Sequence, residues 1–546
     1  MIEKLIKLRQ KQMEEIRRDY ETGLWEDIGR FVNPRREDIT DSSRTDTKGQ
    51  RRGKESYDGT PLGALNTWAD GMQGFLISKN WFKSQMDNPE LNHIDPVRQW
   101  LLHYDRKMYS AFDRGNFYSV LPEWFRDAGS IGTATLYTEE VIGTGRIVHT
   151  CIHPREVFIS EGPDGEVDTV HRKFEMTARN IFQKFEGKCS DVVKQNAEKH
   201  PEKRHEILHA VFPNNERMYG KKTKKNKPFR SIYMESKTDT VLRDSGYDMN
   251  PYAVWRFRKS SDEIYGRSPA ADSLVEVFSL NQFGKTLMKA AQKSVDPPMN
   301  IPSEMRGRVR LGPSGNNYYD DTNRTITPIN PGINYPVGID QLERLQKSIE
   351  DKYRVEFFRA FIGRQGEATA TEIMAIKGEQ AGLMSAQVDR LYNEGIRKIF
   401  DVVSYIEDRR GAFSEEAGMP PIPEEIIADG GPINFLLTGP LAQALRRAVE
   451  LDPIQRTLES LAPLAQMFGQ EVLDVINVDN LSELVVESGN LPQEIINSKA
   501  TREQMRQQRQ EAIAQQQQQA MAAQMVKPID TTKAPEEGSP VGALAQ

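Results

Sequence analysis

The stretch FIGRQGEATATEIMAIKGEQAG, Phe361–Gly382, decides how the rest of the chain is read. Its first half carries Gly363 and Gly366 and reads as a short loop. Its second half reads as the start of a helix. Thr369 and Glu372 have the spacing of a capping box, in which each side chain bonds the other residue's backbone N–H. Just upstream, IDQLERLQKSIEDKYRVEFFRAFI has helical spacing, with Leu342, Leu345, Ile349, Tyr353 and Phe357 as its apolar stripe. Downstream a helix is predicted from about Ala370 to Arg409, on the order of 60 Å long at 1.5 Å per residue. Gly378, Gly382 and Gly395 fall inside it, each costing up to about 1 kcal/mol relative to Ala. They mark a kink or a close backbone approach. The stretch is thus a short loop between two long helices.

Working backwards, Ser268 and Pro269 open another helix as cap and first-turn residue. It runs to about Ser294, with Asp272 and Glu276 early and Lys285, Lys289 and Lys293 late, as the helix dipole favours. VDPPMNIPSE ends it, because two prolines cannot continue a helix. The following Gly/Pro/Asn-rich segment reads as a compact β-like unit. In it RGRVR places Arg306, Arg308 and Arg310 at alternate positions, which on a strand point the same way. Before Pro269, residues of about Ile131–Phe257 are rich in β-branched and aromatic types broken by Gly, Pro and Asp, the signature of strands and hairpins. A helical insertion is expected near Thr177–Lys199. The N-terminal part reads as helices. Leu5, Leu8, Ile16, Tyr20, Ile28 and Phe31 form one stripe, and Leu65, Trp68, Met72 and Leu76 another. Past Gly411 come shorter helical patches, then a Gln/Ala/Arg-rich helix that is marginal alone and more plausible bundled with copies of itself.

The 546 residues correspond to roughly three to five compact units. With 37% apolar and 28% charged residues, and no run of about 18 apolar residues, no membrane span is expected. The N-terminus is a charged amphipathic helix and not a signal peptide. Only Cys151 and Cys189 are present, so no disulfide framework is implied and a reducing cytoplasm is the expected setting. A net charge of −6 argues against a surface that wraps nucleic acid tightly, but not against a channel through which a polyanion passes.

Catalytic signatures are missing. There is no P-loop, GxSxG, HExxH or two-metal carboxylate pair. In HTCIH, His149, Cys151 and His153 share one face of a strand, but the spacing is wrong for zinc and a fourth ligand is missing. Strand packing is the expected role. No catalytic residue, metal or cofactor is assigned. Lys285, Lys289 and Lys293 lie at i, i+4 and i+8 on one face. That face is either solvated and dipole-complementing or a basic band facing phosphates or a neighbouring subunit. The arginines of RGRVR either guard an edge strand or dock a partner. The KKTKKNK run, Lys221–Lys227, reads as a solvated loop.

The order of these pieces, with GEATATEI at the last junction, resembles the portal proteins, or head-to-tail connectors, of short-tailed bacteriophages. YDGTPLGALNTWADGMQGFLISKNWF (Tyr57–Phe82), GNFYSVLPEWFRDAGSIGTATLY (Gly115–Tyr137), DEIYGRSPAADSLVEVFSLNQF (Asp262–Phe283) and LTGPLAQALR (Leu437–Arg446) match the same family in wording and order. The resemblance implies an α+β, mainly α portal fold assembled as a dodecameric ring at one capsid vertex. On it residues 1–262 are the wing, with a helical N-terminal part and a β-rich part. Residues 263–294 and 339–360 are the two stem helices, and 295–338 the α/β clip. Residues 361–369 are the tunnel loop, with Ile362, Gly363, Arg364, Gln365, Gly366 and Glu367 facing the DNA channel. Residues 370–411 are the long wing helix, 412–497 an α-helical crown, 498–526 a Gln-rich helix that could form a barrel, and 527–546 a disordered tail. The implied partners are further copies of the chain, double-stranded DNA in the channel, the terminase large subunit, tail adaptor proteins, and capsid and scaffolding proteins. The implied location is the virion, after assembly in the host cytoplasm. Two rivals remain: another multimeric virion protein such as a tail adaptor, and a DNA-processing enzyme.

Overall fold

The computed structural model describes residues 2–40, 52–361, 382–446, 452–468 and 499–525. Excepted are short internal stretches, chiefly 311–316, 319–324 and 330–334; a few residues between 476 and 485 are also described. Helix α1 (Ile2–Tyr20) is followed by a break at Thr22 and Gly23 and by α2 (Glu26–Phe31). The face α1 buries is not the one its leucines suggest. Leu5, Leu8 and Ile16 are exposed, whereas Ile6, Gln10, Met13 and Arg17 turn inward. Two polar residues hold that orientation. Gln10 Oε1 lies 3.0 Å from His171 Nδ1. The Arg17 guanidinium stacks 4.3 Å over the Phe158 ring and donates to Val157 O at 2.8 Å. A buried arginine with partners outweighs the apolar periodicity there.

The β-rich region holds two antiparallel sheets. One contains β3 (Arg146–Ile152), β2 (Thr133–Val141) and β9 (Tyr252–Arg256), in that order. The other has the order β4 (Val157–Glu161), β5 (Val167–Thr177), β6 (Arg204–Pro213), β7 (Phe229–Glu235) and β8 (Val241–Tyr247). Alternation sorts its two faces. Leu208, Ala210, Phe212, Ile232 and Met234 pack on Ile6 of α1. Ile207 and Tyr233 pack on the expected helical insertion, which is a pair of helices, α6 (Ala178–Lys184) and α7 (Asp191–Lys199). Thr177 and Ser190 cap them, each hydroxyl accepting a backbone N–H in the first turn.

The main core is aromatic. Helices α3 (Thr60–Leu76), α4 (Asp95–Arg114) and α5 (Phe117–Ser130) enclose Trp68, Trp81 and Trp124, and Trp255 comes from β9. Leu65, Trp68, Met72 and Leu76 are all buried, as their spacing predicts. A two-stranded antiparallel sheet joins β1 (Phe82–Met86) to β12 (Ile433–Leu437), so the region after Gly411 folds back onto the N-terminal helices.

Helix α8 (Pro269–Asp272) starts at its predicted cap, where Ser268 Oγ accepts from Ala271 N at 3.0 Å, and is separated by Ser273 from α9 (Leu274–Val295). Its partner α10 (Tyr335–Lys352) is followed by Arg354 at φ 53° and then by α11 (Val355–Phe361). The second long helix is therefore two helices meeting at a corner. The two-residue strands β10 (Met299–Asn300) and β11 (Thr327–Pro328) pair at the far end of α9. After the central stretch, described residues resume as Ser385–Arg390, a π-helical turn Leu391–Ile396, and the helix Arg397–Arg409.

Candidate functional site

The site built by these elements is the hairpin of α9 and α10 with its root and tip. The root is buried: Val277 and Leu280 of α9 share the main core with Ile349 of α10 and Tyr353 just after it. Lys352 Nζ lies 3.9 Å from Glu276, tying the two helices at that level. A strap from the N-terminal region crosses α9. Asn281 Oδ1 accepts from Tyr57 N at 2.7 Å, and Asn281 Nδ2 donates to Glu55 O at 2.9 Å. Gln346 of α10 donates to Asp58 at 2.8 Å. Both helices are thus fixed to the body for about half of their length.

Past the strap the character changes. Met288, Val295, Ile301, Ile329 and Ile339 are exposed, as are Val275 and Phe278 nearer the root. Exposed apolar side chains in this number on one hairpin are the kind of surface that other protein can cover.

The three lysines separate here. Lys285 Nζ stands 5.5 Å over the Tyr57 ring and belongs to the strap. Lys289 and Lys293 are exposed, with no acidic partner among the described residues. The arginines of the tip depart from expectation. Arg306 and Arg310 are exposed and lie outside any strand, and Gly307 at φ 80° turns the chain between them. Alternation on a strand therefore does not align them. Asn317 brackets Arg310, accepting from its N at 2.7 Å and donating to its O at 2.8 Å. Arg308 lies outside the described residues. So do Ile362, Gly363, Arg364, Gln365, Gly366 and Glu367 and the capping residues Thr369 and Glu372.

On the far side of that stretch the chain is anchored by a buried ion cluster that no local motif announces. Glu394, in the π-helical turn, accepts from Arg256 Nη2 at 2.8 Å and from Arg256 N at 3.0 Å, and from Arg390 at 2.8 Å. Arg256 also pairs with Glu161, which Lys259 reaches at 2.6 Å. Burial opposes the Arg256 charge, but the two carboxylates more than offset it and hold the group above its usual range. Arg256 and Glu394 are 138 residues apart in sequence, so nothing in their neighbourhood pairs them.

HTCIH packs into the interior. His149 is 1% exposed, with Nδ1 3.0 Å from Thr138 Oγ1, and burial lowers its pKa to about 4. Cys151 Sγ faces Asp127 at 3.5 Å, whose carboxylate takes a two-pronged bond from Arg36 at 2.7 and 2.9 Å. His153 Nε2 lies 3.6 Å from Asp38. Among the described residues no group of three or more His, Cys, Asp or Glu could hold a metal ion, and no helix is long and apolar enough to cross a membrane.

Known proteins resemble this chain over most of its length. The chain is 29% identical over 489 residues to the portal protein of Salmonella phage epsilon15, covering 86% of this chain and 85% of that protein. It is 26% identical over 488 residues to the probable portal protein of Bordetella phage BPP-1, with the same coverage, 86% and 85%. The family described as bacteriophage head to tail connecting protein matches residues 3–496. With nearly the whole described body inside that match, the chain belongs to the bacteriophage head to tail connecting protein family.

Proposed function

We propose that the chain is one subunit of a dodecameric portal ring at a single capsid vertex. Double-stranded DNA passes through it during packaging and ejection. The ring docks the ATP-driven terminase first and tail adaptor proteins later. The observation that carries this reading is the α9–α10 hairpin, rooted in the core and strapped by residues 55–58, yet with Met288, Val295, Ile301, Ile329 and Ile339 exposed beyond them. Such a face is costly in a monomer and stabilising when neighbours cover it. Subunits related by rotation meet through unlike faces and close into a ring. In this arrangement α9, α10 and α11 form the stem, residues 295–338 the clip, and residues 361–369 the loop toward the channel. Residues 1–262 and 370–411 form the wing, and 412–497 the crown. ATP hydrolysis belongs to the docked motor, and this chain contributes a conduit and no catalysis.

Electron microscopy of the purified protein tests the reading. Rings with a central hole wide enough for a DNA duplex are expected. A population of monomers or solid fibres at micromolar concentration would overturn it.

A further inference from the structure

An edge strand leaves the N–H and C=O of every second residue pointing away from its sheet. On five edge strands of this protein side chains meet some of those outward groups. On β1, Tyr109 accepts from Phe82 N and donates to Phe82 O, and Asp105 accepts from Ser84 N. On β12, the carbonyls of Phe435 and Leu437 accept from Tyr392 and Arg446. On β3, Asn116 bonds both backbone groups of His149. On β9, Glu394 accepts from Arg256 N and Asn250 from Tyr252 N. On β4, Arg17 donates to Val157 O and Tyr265 accepts from Ile159 N.

Strand β8 differs. Its outward positions follow from β4 by alternation. Val157 and Ile159 face away, so Phe158 bonds toward its β5 partner His171. The neighbours of His171, Val170 and Arg172, then face Val211 and His209 of β6. Ala210 faces Ile232 of β7. Ser231 and Tyr233 face Ser245 and Arg243 of β8. That leaves Asp244 and Gly246 pointing outward. Among the described residues no hydrogen bond reaches the backbone of either.

This bare edge borders a cleft of about 750 Å³ whose far wall is the end of β2 and the helix Arg397–Arg409. Leu242, Met249, Val402 and Ile406 give it apolar surface. Five acidic and five basic residues line it, and several of them are paired with one another or with neighbours. Glu139 lies 3.8 Å from Lys184, and Glu140 pairs with Arg409. Asp244 is paired with Lys225 at 2.9 Å and Arg230 at 3.1 Å, and Asp248 with Lys227. The cleft therefore offers backbone hydrogen bonds and apolar contact without a field that selects a charged ligand.

We propose that the β8 edge and its cleft take up an extended, uncharged peptide segment of another polypeptide as a sixth strand of the five-stranded sheet. Main-chain bonding to Asp244 and Gly246 supplies the affinity, and alternate apolar side chains entering the cleft supply the selection. Surface assignment here is independent of the hairpin and of the ring.

Amide hydrogen–deuterium exchange on the full-length protein tests it, with the probe acetyl-Thr-Val-Thr-Val-Thr-Val-amide. Two N-methylated versions each remove the backbone donors along one edge of the probe. The amides of Asp244 and Gly246 are expected to exchange readily in the free protein and to slow by about tenfold or more at saturating probe. One N-methylated version should lose the effect and the other keep it. Unchanged exchange, or equal slowing by both N-methylated probes, overturns the proposal. So does protection without probe, which would assign the edge to a neighbouring copy if it appears only in the oligomer, or to the chain itself if it persists in dissociated subunits.

Discussion

His149 shows what burial does to a single titratable group. Its ring packs against Phe117 at 5.2 Å, and its one polar contact is Thr138. Desolvation lowers its pKa from 6.5 to about 4, and that of the buried His171 to about 3. The sign follows directly. As pH falls below 6.5 the unfolded chain takes up protons that the folded chain refuses, so stability declines with falling pH until the folded-state value is reached. Each such histidine contributes a slope of about 1.4 kcal/mol per pH unit across that window. Chemical denaturation between pH 7 and pH 4.5 should show this decline. His149→Leu should reduce the slope by about one histidine's share, whatever constant cost it adds at neutral pH. A slope identical to the parent's would mean that His149 is protonated in the fold. At this scale the sequence placed 149, 151 and 153 on one strand face; the strand ends at Ile152, before His153, and what faces these residues was not legible. Asp127, Asp38 and Thr138 arrive from elsewhere in the chain, as Glu394 does for Arg256.

At the scale of elements, starts were legible and faces and corners less so. Ser268 caps its helix because a hydroxyl before Pro269 meets an orphan N–H, a rule that needs no tertiary context. The corner at Arg354 has no such signal, since arginine rarely takes a positive φ; here it does so between the buried Tyr353 and Val355. The predicted helix through Gly378, Gly382 and Gly395 can be judged at its described end. A Cβ on Gly395 would come within 2.8 Å of the Trp124 ring, so this glycine is a close approach. Among the described residues a Cβ on Gly382 would meet nothing within 4 Å. Gly395→Ala should therefore destabilise by about 1–3 kcal/mol through overpacking against a fixed indole. Gly382→Ala should be neutral within about 0.5 kcal/mol, as surface changes are. Thermal unfolding of the two variants side by side checks this. Equal melting temperatures would show that Trp124 yields and that the π-helical turn tolerates a side chain there.

For the whole molecule, in the proposed ring, the balance is between surfaces that must hold and a passage that must not. Bare apolar side chains on the hairpin favour neighbours, while a net charge of −6 disfavours a DNA duplex that lingers. Each phosphate contact adds salt-dependent affinity, so a conduit gains from few and well-placed cations. The family was readable in the wording and order of several stretches, and the family match over residues 3–496 bears it out. The side chains facing the passage were not readable, because a helix face acquires a direction only when copies assemble. Lys289 and Lys293 are the exposed pair on α9 beyond the strap, and Lys285 is occupied by Tyr57. In the proposed ring this pair touches passing phosphates. Replacing both with glutamate should leave each subunit's stability within about 0.5 kcal/mol of the parent and the ring intact. DNA packaging into capsids carrying the variant should fall on the order of tenfold, with a weaker salt dependence of DNA retention. If packaging stays at the parent level, the two lysines serve only the negative end of the α9 dipole, and the channel-facing side of the stem lies elsewhere.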